Sequence, residues 1–327
     1  MQNFSKQIIS FLTFFIMFFL TSCSHSLDLS NRVGFGLAEK ADAIFWSAQL
    51  GAEWYFDWGT KKTPKSNDLE YWQTIRVNEN GYSPSNEEIV FILKNYPGYT
   101  WIIGNEPDNL HQDNTLPQKY AEIYHELYYL IKKNDRTAKV AIAGVSQPTP
   151  SRLAYLDLVL DSYETRFGEK LPVDWWNVHA YVLREEQESW GAGLPVGVLS
   201  AENKLYEIED HGDIQLFQQN LINFRKWLKE KGYQETPLAI TEYGILLPDE
   251  FGFDQEFIAD YLLAVNQWMI DYKDPEIGFP QDEYRIIQKF AWFSLSDSSF
   301  PDANLANFEE GTLTLVGEAF QDFSADN

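Results

Sequence analysis

The chain has 327 residues, of which 44% are hydrophobic and 16% are aromatic. Disordered chains are poor in aromatic residues, so this composition excludes general disorder and predicts a large buried core. The 49 acidic residues outnumber the 25 basic ones and give a formal charge of −24. Such a surface repels phosphate backbones, so we expect no nucleic acid as a partner.

Residues 1–23 have the features of an export signal. Lys6 supplies a positive charge, and the largely apolar residues 8–20 are too few for a membrane-spanning helix, which needs about 20. The sole cysteine of the chain, Cys23, follows Leu20-Thr21-Ser22, and this motif resembles a bacterial lipobox. We therefore expect residues 1–22 to be a lipoprotein signal peptide and residues 23–31 to be a tether that begins at a lipidated Cys23. An ordinary signal peptide with an incidental cysteine is the alternative.

The expected location follows from this motif. A lipidated Cys23 would export the protein and anchor it to the bacterial cell envelope. Because Ser24, and not aspartate, follows the cysteine, the anchor would lie in the outer membrane if the organism is Gram-negative. The membrane is then a partner through the lipid alone.

Apolar segments of strand length alternate with helical patterns from residue 32 onward. Strands are predicted at residues 32–36, 52–58, 74–77, 99–104, 139–144, 175–181, 238–241 and 287–295. Helices are predicted at residues 39–50, 84–95, 117–134, 151–167, 215–231 and 255–272, followed by a short tail. Ser83 is expected to cap the second helix and Pro84 to begin it. The pattern predicts an α/β fold, a single (β/α)8 TIM barrel over residues 32–327. A doubly wound sheet is the alternative, but no glycine-rich phosphate turn follows a strand.

Catalytic groups of barrels lie at the C-terminal ends of the strands. Polar or aromatic clusters occur at the ends of four predicted strands, at residues 104–108 (GNEPD), 177–181 (NVHAY), 241–243 (TEY) and 292–294 (WFS). Period-two alternation puts Asn177, His179 and Tyr181 on one face. It also puts Leu238, Ile240 and Glu242 on one face. The same alternation makes Trp292 a floor between Glu106 and Glu242. Asp57 and Trp58 line the same mouth or pack in the core.

Glu106 and Glu242 are thus expected to face one lumen. Cleavage of a glycosidic bond requires one carboxylic acid to protonate the leaving oxygen and a second carboxylate to attack the anomeric carbon or to activate water. The 11 tryptophans and 18 tyrosines of the chain also suit a sugar-binding protein, because flat rings stack on pyranose faces. The sequence therefore predicts a glycoside hydrolase that acts on a polysaccharide or oligosaccharide.

Asn105-Glu106-Pro107 combined with Thr241-Glu242-Tyr243-Gly244 resembles the clan A retaining glycoside hydrolases. AEWYFDWG at residues 52–59 and GNEPD are most similar to the short-barrel family of endo-β-1,3-glucanases. The resemblance implies that Glu106 is the acid/base and Glu242 the nucleophile. It also implies that Asn105 binds the substrate 2-hydroxyl, that Tyr181 or His179 orients Glu242, and that Trp292 stacks under the sugar. The pKa of Glu106 should then be raised and that of Glu242 lowered.

Two other classes of function remain open from the sequence. A catalytically inactive barrel could bind glycan as a cell-surface lipoprotein, although it would not need both glutamates. A purely structural envelope lipoprotein would not need a row of polar side chains, such as Asn177, His179 and Tyr181, inside the barrel. Alternatively, His179 has a purely structural role as a hydrogen-bonded core residue. We expect no cofactor, and no spacing of histidine and aspartate predicts a metal site.

Overall fold

The structure is a computed structural model that describes residues 29–61 and 69–326. The predicted signal peptide, Cys23 and most of the tether lie outside these residues. The described strands are β1 (Val33–Gly36), β2 (Trp54–Phe56), β3 (Glu70–Asn78), β4 (Gly81–Ser83), β5 (Thr100–Ile103), β6 (Lys139–Ile142), β7 (Trp176–Ala180), β8 (Leu238–Tyr243), β9 (Lys289–Trp292), β10 (Ala306–Asn307) and β11 (Thr312–Leu313). The described helices are α1 (Ala43–Leu50), α2 (Asn86–Asn95), α3 (Pro117–Asn134), α4 (Pro150–Phe167), α5 (Ile214–Glu230), α6 (Gln255–Asp271) and α7 (Leu315–Asp326). Among them is no helix long and apolar enough to cross a membrane.

Eight parallel strands form a nearly closed barrel in the order β6-β5-β3-β2-β1-β9-β8-β7. A single bridge between Ala141 and Trp175 joins the two ends of this order, beside β6 and β7. Strand β4 lies outside the ring and pairs antiparallel with β3. Helices connect most consecutive strands, although the described residues between β2 and β3 contain none. This architecture confirms the predicted (β/α)8 barrel.

The barrel lumen is filled by side chains of unequal size. Four large residues from β2, β3 and β5 pack against three alanines from β6, β8 and β9: Trp54, Phe56, Trp72 and Ile102 against Ala141, Ala239 and Ala291. Gly34 of β1 makes room for this layer, because a Cβ there would lie 2.5 Å from the Trp54 indole. A second, larger apolar layer lies between the strands and the helices. The lumen is thus a packed core, and in the described part of the chain a cavity opens at its C-terminal mouth.

Two local predictions at element ends were wrong. Helix α2 begins after Ser85, whose side chain accepts the Glu88 backbone N–H in a capping box, whereas Ser83 ends β4. The capping box satisfies one free N–H at each of its two residues, so it outcompetes the earlier serine. The expected short tail contains a hairpin of β10 and β11 and then α7, which packs on α6 and α1.

Glu242 lies at the mouth of the barrel as predicted, but the strand alternation from which this was argued was wrong. Leu238 and Ile240 point outward to the helices, while Ala239 points into the lumen. Strict alternation from there would send Glu242 outward. The pairing registers of β8 with β7 and with β9 both shift after Ile240, and this irregularity turns Glu242 into the mouth of the barrel. Such bulges commonly redirect a side chain beside an active site.

Candidate active site

A cavity of about 480 Å³ opens at the C-terminal ends of the barrel strands. Its walls include Asp57, Trp58, Arg76, Asn105, Glu106, Tyr181, Glu242, Phe293 and Phe300. The cavity size lies within the usual range for small-molecule sites, about 300–1,000 Å³. Six of the sequence-derived site residues therefore line one cavity: Glu106, Glu242, Asn105, Tyr181, Asp57 and Trp58.

Glu106 is held by partners from three segments of the chain. Its backbone has a φ of 42°, a left-handed conformation that non-glycine residues adopt mainly where the surroundings impose it. The backbone N–H donates to the Gly144 carbonyl at 3.0 Å. Oε1 lies 2.8 Å from Nδ1 of His179, and Oε2 accepts a hydrogen bond from the Asn109 amide at 2.7 Å. Sequence reasoning missed Asn109, although it occupies the same turn as Glu106.

Glu242 has a donor on each oxygen. The Trp58 indole N–H donates to Oε1 at 2.6 Å, and the Tyr181 hydroxyl donates to Oε2 at 3.1 Å. Nδ1 of His179 is 3.4 Å from the same Oε2. These contacts fix the carboxylate in one orientation, with its charge directed to the cavity.

His179 lies between the two glutamates and is fully buried. Its ring fits because position 144 is a glycine, where a Cβ would come within 2.8 Å of Nε2. Nε2 has no hydrogen-bond partner among the described residues. The structure thus places His179 closer to Glu106 than to Glu242, whereas the resemblance assigned it to Glu242.

The same three side chains are close enough to share a cation. One ligand atom each from Glu106, His179 and Glu242 lie within 4.8 Å of one another. Imidazole and carboxylate are common zinc ligands. The 2.8 Å contact from His179 to Glu106 is the geometry of a hydrogen bond, which accounts for the cluster without a metal.

The pKa of Glu106 is lowered and that of Glu242 is raised, whereas the reverse was predicted. Burial acts to raise the pKa of Glu106, but the hydrogen bond and charge of His179, with the more distant Arg152, lower it below its ordinary value. Burial raises the pKa of Glu242, and the charge of Glu106 adds to this effect against the opposing His179, Trp58 and Tyr181. The reason for the reversal is that His179 forms its hydrogen bond with Glu106.

Trp292 does not reach the cavity, contrary to the prediction that it forms a sugar-stacking floor. It is fully buried in the layer between barrel and helices. Its indole N–H donates to the Ala303 carbonyl at 2.8 Å, and its ring meets Tyr243 edge-on. The neighbouring Phe293 lines the cavity instead and lies edge-on to Trp58, with ring centroids 5.5 Å apart.

Two further polar groups of the cavity are held by neighbours. Asp57 accepts a hydrogen bond from the Tyr71 hydroxyl and forms an ion pair with Lys61 at 2.9 Å. The Asn105 backbone N–H donates to Asp113 at 2.7 Å, and its side-chain amide donates to Gln112 at 3.4 Å at the cavity wall. Both can offer hydrogen bonds to ligand hydroxyls without first rearranging.

Comparison with known proteins gives a family match over part of the chain and a fold over most of it. A family model described as the glycosyl hydrolase catalytic core matches residues 34–190. An endo-β-1,3-glucanase, GH128 subgroup II, from Sorangium cellulosum is 16% identical, with a TM-score of 0.59 over 89% of this chain and 97% of that one. A search of curated protein sequences found no match.

Two other solved structures show the same barrel. A GH128 subgroup I endo-β-1,3-glucanase from Amycolatopsis mediterranei, in complex with laminaritriose, is 14% identical, with a TM-score of 0.57 over 90% of this chain and 99% of that one. A curdlan-specific exo-β-1,3-glucanase, GH128 subgroup III, from Blastomyces gilchristii is 17% identical, with a TM-score of 0.57 over 89% and 98%. The catalytic-core match covers residues 34–190, slightly less than half of the chain, and the solved structures share its barrel fold.

Proposed function

We propose that the chain is a retaining glycoside hydrolase that cleaves β-glycosidic bonds in a polysaccharide or oligosaccharide by double displacement. The observation that carries this proposal is the separation of the two carboxyl groups. An oxygen of Glu106 and an oxygen of Glu242 lie no more than 4.8 Å apart at one cavity. Retaining enzymes place these groups about 5–5.5 Å apart, whereas inverting enzymes need about 6.5–9.5 Å to admit a water.

The motifs that carry the two glutamates, Asn105-Glu106-Pro107 and Thr241-Glu242-Tyr243-Gly244, support different roles for them. Glu242, with a donor on each oxygen, attacks the anomeric carbon as a carboxylate. Glu106 gives its proton to the leaving oxygen while the glycosidic C–O bond breaks and the glycosyl–enzyme bond forms. Glu106 then takes a proton from water, whose oxygen attacks the anomeric carbon and releases Glu242. Asn105 beside Glu106 is placed to bind the sugar 2-hydroxyl.

The proton for the first step can come from His179. The charges of Glu242 and Glu106 and the hydrogen bond to Glu106 raise the pKa of His179, against the opposing effect of burial. These effects favour a proton on Nδ1 of His179 and an ionised Glu106 in the free protein. Transfer along the 2.8 Å hydrogen bond makes Glu106 the acid and leaves His179 neutral, so the total charge of the three groups is unchanged. Substrate binding would favour this transfer, because the leaving oxygen then accepts from Glu106.

We propose a β-1,3-glucan as the substrate. Three solved structures with the same barrel are β-1,3-glucanases, and one of them is in complex with laminaritriose. Charge supports a neutral glycan, since the cavity carries Asp57, Asp297 and both glutamates against one arginine, Arg76. Aromatic rings of Trp58, Phe293 and Phe300 at the wall can pack on pyranose faces.

An activity screen tests this function. The protein from residue 24 onward is incubated with curdlan, laminarin, cellulose, xylan and mannan, and the products are sized. Proton NMR of the first product should show the β-anomer, because two displacements restore the configuration. An α-anomer as first product would contradict retention, and activity on another glycan alone would contradict the β-1,3 assignment. Activity should survive EDTA, which would abolish a metal-dependent reaction.

Variants of the two glutamates test their roles. Glu242→Gln should abolish turnover while the variant still binds oligosaccharide, which separates a catalyst from a glycan-binding barrel. Glu106→Ala should lose less activity on aryl glycosides with good leaving groups than on natural glycans, because such groups need no proton. Equal losses on both substrates would remove Glu106 from the acid role.

We also propose that the protein is exported and lipid-anchored through Cys23, with residues 32–327 as the catalytic domain. The support is the lipobox-like Leu20-Thr21-Ser22-Cys23 and the apolar segment before it. Mass spectrometry of the mature protein should find a diacylated N-terminal Cys23, and Cys23→Ala should move the protein out of the membrane fraction. A mature chain that starts at another residue, without lipid, would support an ordinary signal peptide.

A further inference from the structure

A second cavity of about 300 Å³ adjoins the catalytic cavity. It lies between the loop that follows β5 and the long loop from β7 to α5. The two cavities have wall residues in common, which are His111, Gly191 and Ala192. We propose that the second cavity is a further sugar subsite, which binds the part of a neutral glycan that extends away from Glu106 and Glu242. This inference rests on the proposed function.

The walls of the second cavity match the surface of a sugar ring. Leu110 and Leu194 line it and are exposed in the free protein, by 63% and 42%. Pyranose rings have apolar C–H faces that would cover these leucines and remove their surface from water. Polar side chains of Asn114, Gln187 and Ser189 also line the cavity and can bond the hydroxyl groups at the ring edge.

The negative charge around the second cavity restricts which glycans can bind there. Glu186 and Glu188 lie in the wall of the second cavity, and the chain as a whole carries a formal charge of −24. Anionic glycans, such as uronic-acid or sulfated polymers, would be repelled there. A neutral chain that leaves the catalytic cavity would meet no such penalty.

A buried ionic network holds the wall of the second cavity in place. Arg152 of α4 is fully buried between Asp108 and Glu185, and its Nε lies 3.1 Å from Glu185. Its Nη2 donates to the carbonyls of Ala192 and Gly193 at 3.0 and 2.9 Å, and both residues line the cavity. The wall thus exists before a ligand arrives, and a preformed site loses little entropy on binding.

The network also joins the subsite to the catalytic residues. Asp108 lies two positions after Glu106, and its carbonyl accepts the Val196 backbone N–H at 2.9 Å. Val196 in turn lines the second cavity. The distance from the catalytic carboxylates to the subsite is therefore set by one rigid group of side chains. The long loop from β7 to α5 forms part of this wall, and a long loop in a compact domain usually has a function.

Chain-length dependence of hydrolysis tests the subsite. Rates on laminaritriose and laminarihexaose are compared for the wild type, for Ser189→Trp, which fills the second cavity, and for Leu194→Asp, which removes an apolar face. Ser200→Trp is the matched control, because Ser200 is an exposed residue of the same loop that lines neither cavity. The wild type and the control should favour the hexaose by about tenfold in kcat/KM. Both cavity variants should lose most of this preference and keep the triose rate.

The outcomes separate the subsite from the proposed function. A wild type that cleaves the hexaose, with Ser189→Trp and Leu194→Asp as length-selective as Ser200→Trp, would overturn the subsite and leave the β-1,3-glucanase function standing. If laminari-oligosaccharides are not cleaved, the β-1,3 assignment fails, and the same variants are compared on short and long forms of the glycan that the screen identifies. A wild type without activity on any glycan would overturn both proposals.

Discussion

Nδ1 of His179 lies 2.8 Å from Oε1 of Glu106, in a buried contact at the cavity. Because the same nitrogen is 3.4 Å from Oε2 of Glu242, one imidazole adjusts the ionisation of both carboxyl groups. It lowers the pKa of Glu106 against burial, whereas burial raises the pKa of Glu242 despite it. The charge of His179 and, after it, the hydrogen bonds from Trp58 and Tyr181 favour the ionised form of Glu242.

Trp58→Phe should move the acid limb of the pH profile of kcat/KM to higher pH. The Trp58 indole N–H bonds Oε1 of Glu242 at 2.6 Å and opposes the rise in the pKa of that carboxyl. Without the bond the pKa rises further, so a larger fraction of Glu242 is protonated at a given pH. Loss of one hydrogen bond to a charged group should also reduce kcat/KM by roughly tenfold.

Tyr181→Phe is the companion variant, because it removes the donor from the other oxygen of Glu242 at 3.1 Å. We expect a shift of the acid limb in the same direction, smaller than for Trp58→Phe because the bond is longer. An acid limb that stays in place in both variants would show that Glu242 is not the group that must be ionised.

Phe293→Ala should raise KM for oligosaccharides by about tenfold, since an aromatic wall supplies a large apolar contact.

The neighbouring Trp292 should affect stability and not substrate binding. Trp292→Phe should leave KM unchanged and lower the free energy of unfolding by about 2 kcal/mol, because Trp292 is buried and bonds the Ala303 carbonyl. Steady-state kinetics and urea unfolding measure the two effects. A KM that rises in Trp292→Phe alone would restore Trp292 as the sugar platform.

The difference between these neighbours shows what local pattern can and cannot predict. The barrel was predictable because apolar strands and amphipathic helices are local features of the chain. The face of a side chain at a strand end was not, because a register shift after Ile240 overrides alternation. At β9 the lumen position belongs to Ala291 and the cavity position to Phe293, and nothing in the sequence marks which parity is inward.

Some missed features did have a local signal. Ser85 and Glu88 have capping-box spacing, which favours Ser85 over Ser83 as the start of α2. Val316, Phe320 and Phe323 recur at helical spacing and are buried in α7. No local signal predicts the ion pair of Arg152 with Asp108, because the tertiary fold brings together residues that are 44 positions apart.

Arg152→Met should lower the free energy of unfolding by about 3–5 kcal/mol, because it leaves Asp108 and Glu185 as buried charges without their partner. Arg166→Met is the matched control on the same helix. Arg166 is 58% exposed and pairs with Glu122 at 2.8 Å, and such surface pairs contribute about 0–1 kcal/mol. Urea unfolding at neutral pH measures both variants. Equal small losses would mean that the buried network is not needed for stability.

Arg152→Met should also change the pH profile. The charge of Arg152 contributes to the lowered pKa of Glu106, so its removal should raise that pKa. Activity and stability can be separated, because kcat/KM is measured at a temperature where the variant remains folded. An unchanged profile in a folded Arg152→Met would remove Arg152 from the electrostatics of the site and leave it a structural residue.

His211 should make the protein less stable as the pH falls from about 6.5 to 4. Its Nδ1–H donates to the Val182 carbonyl at 2.9 Å, and Nε2 accepts the Leu246 N–H at 2.7 Å. Burial lowers the pKa of His211 to about 4, although the bond to Val182 opposes this effect. Within that window the unfolded chain binds a proton that the folded chain does not, so the free energy of unfolding falls by about 3 kcal/mol.

His211→Gln removes this proton uptake, so its free energy of unfolding should fall by about 3 kcal/mol less than that of the wild type between pH 7 and pH 4. Loss from carboxyl groups elsewhere is common to both proteins and cancels in the comparison. At pH 7 the variant should be less stable, because glutamine cannot serve both Val182 and Leu246 with the geometry of the ring. His111→Gln, at an exposed position, is the control and should follow the wild type. Parallel pH curves for the wild type and His211→Gln would show that the His211 side chain takes up its proton in the folded state as well.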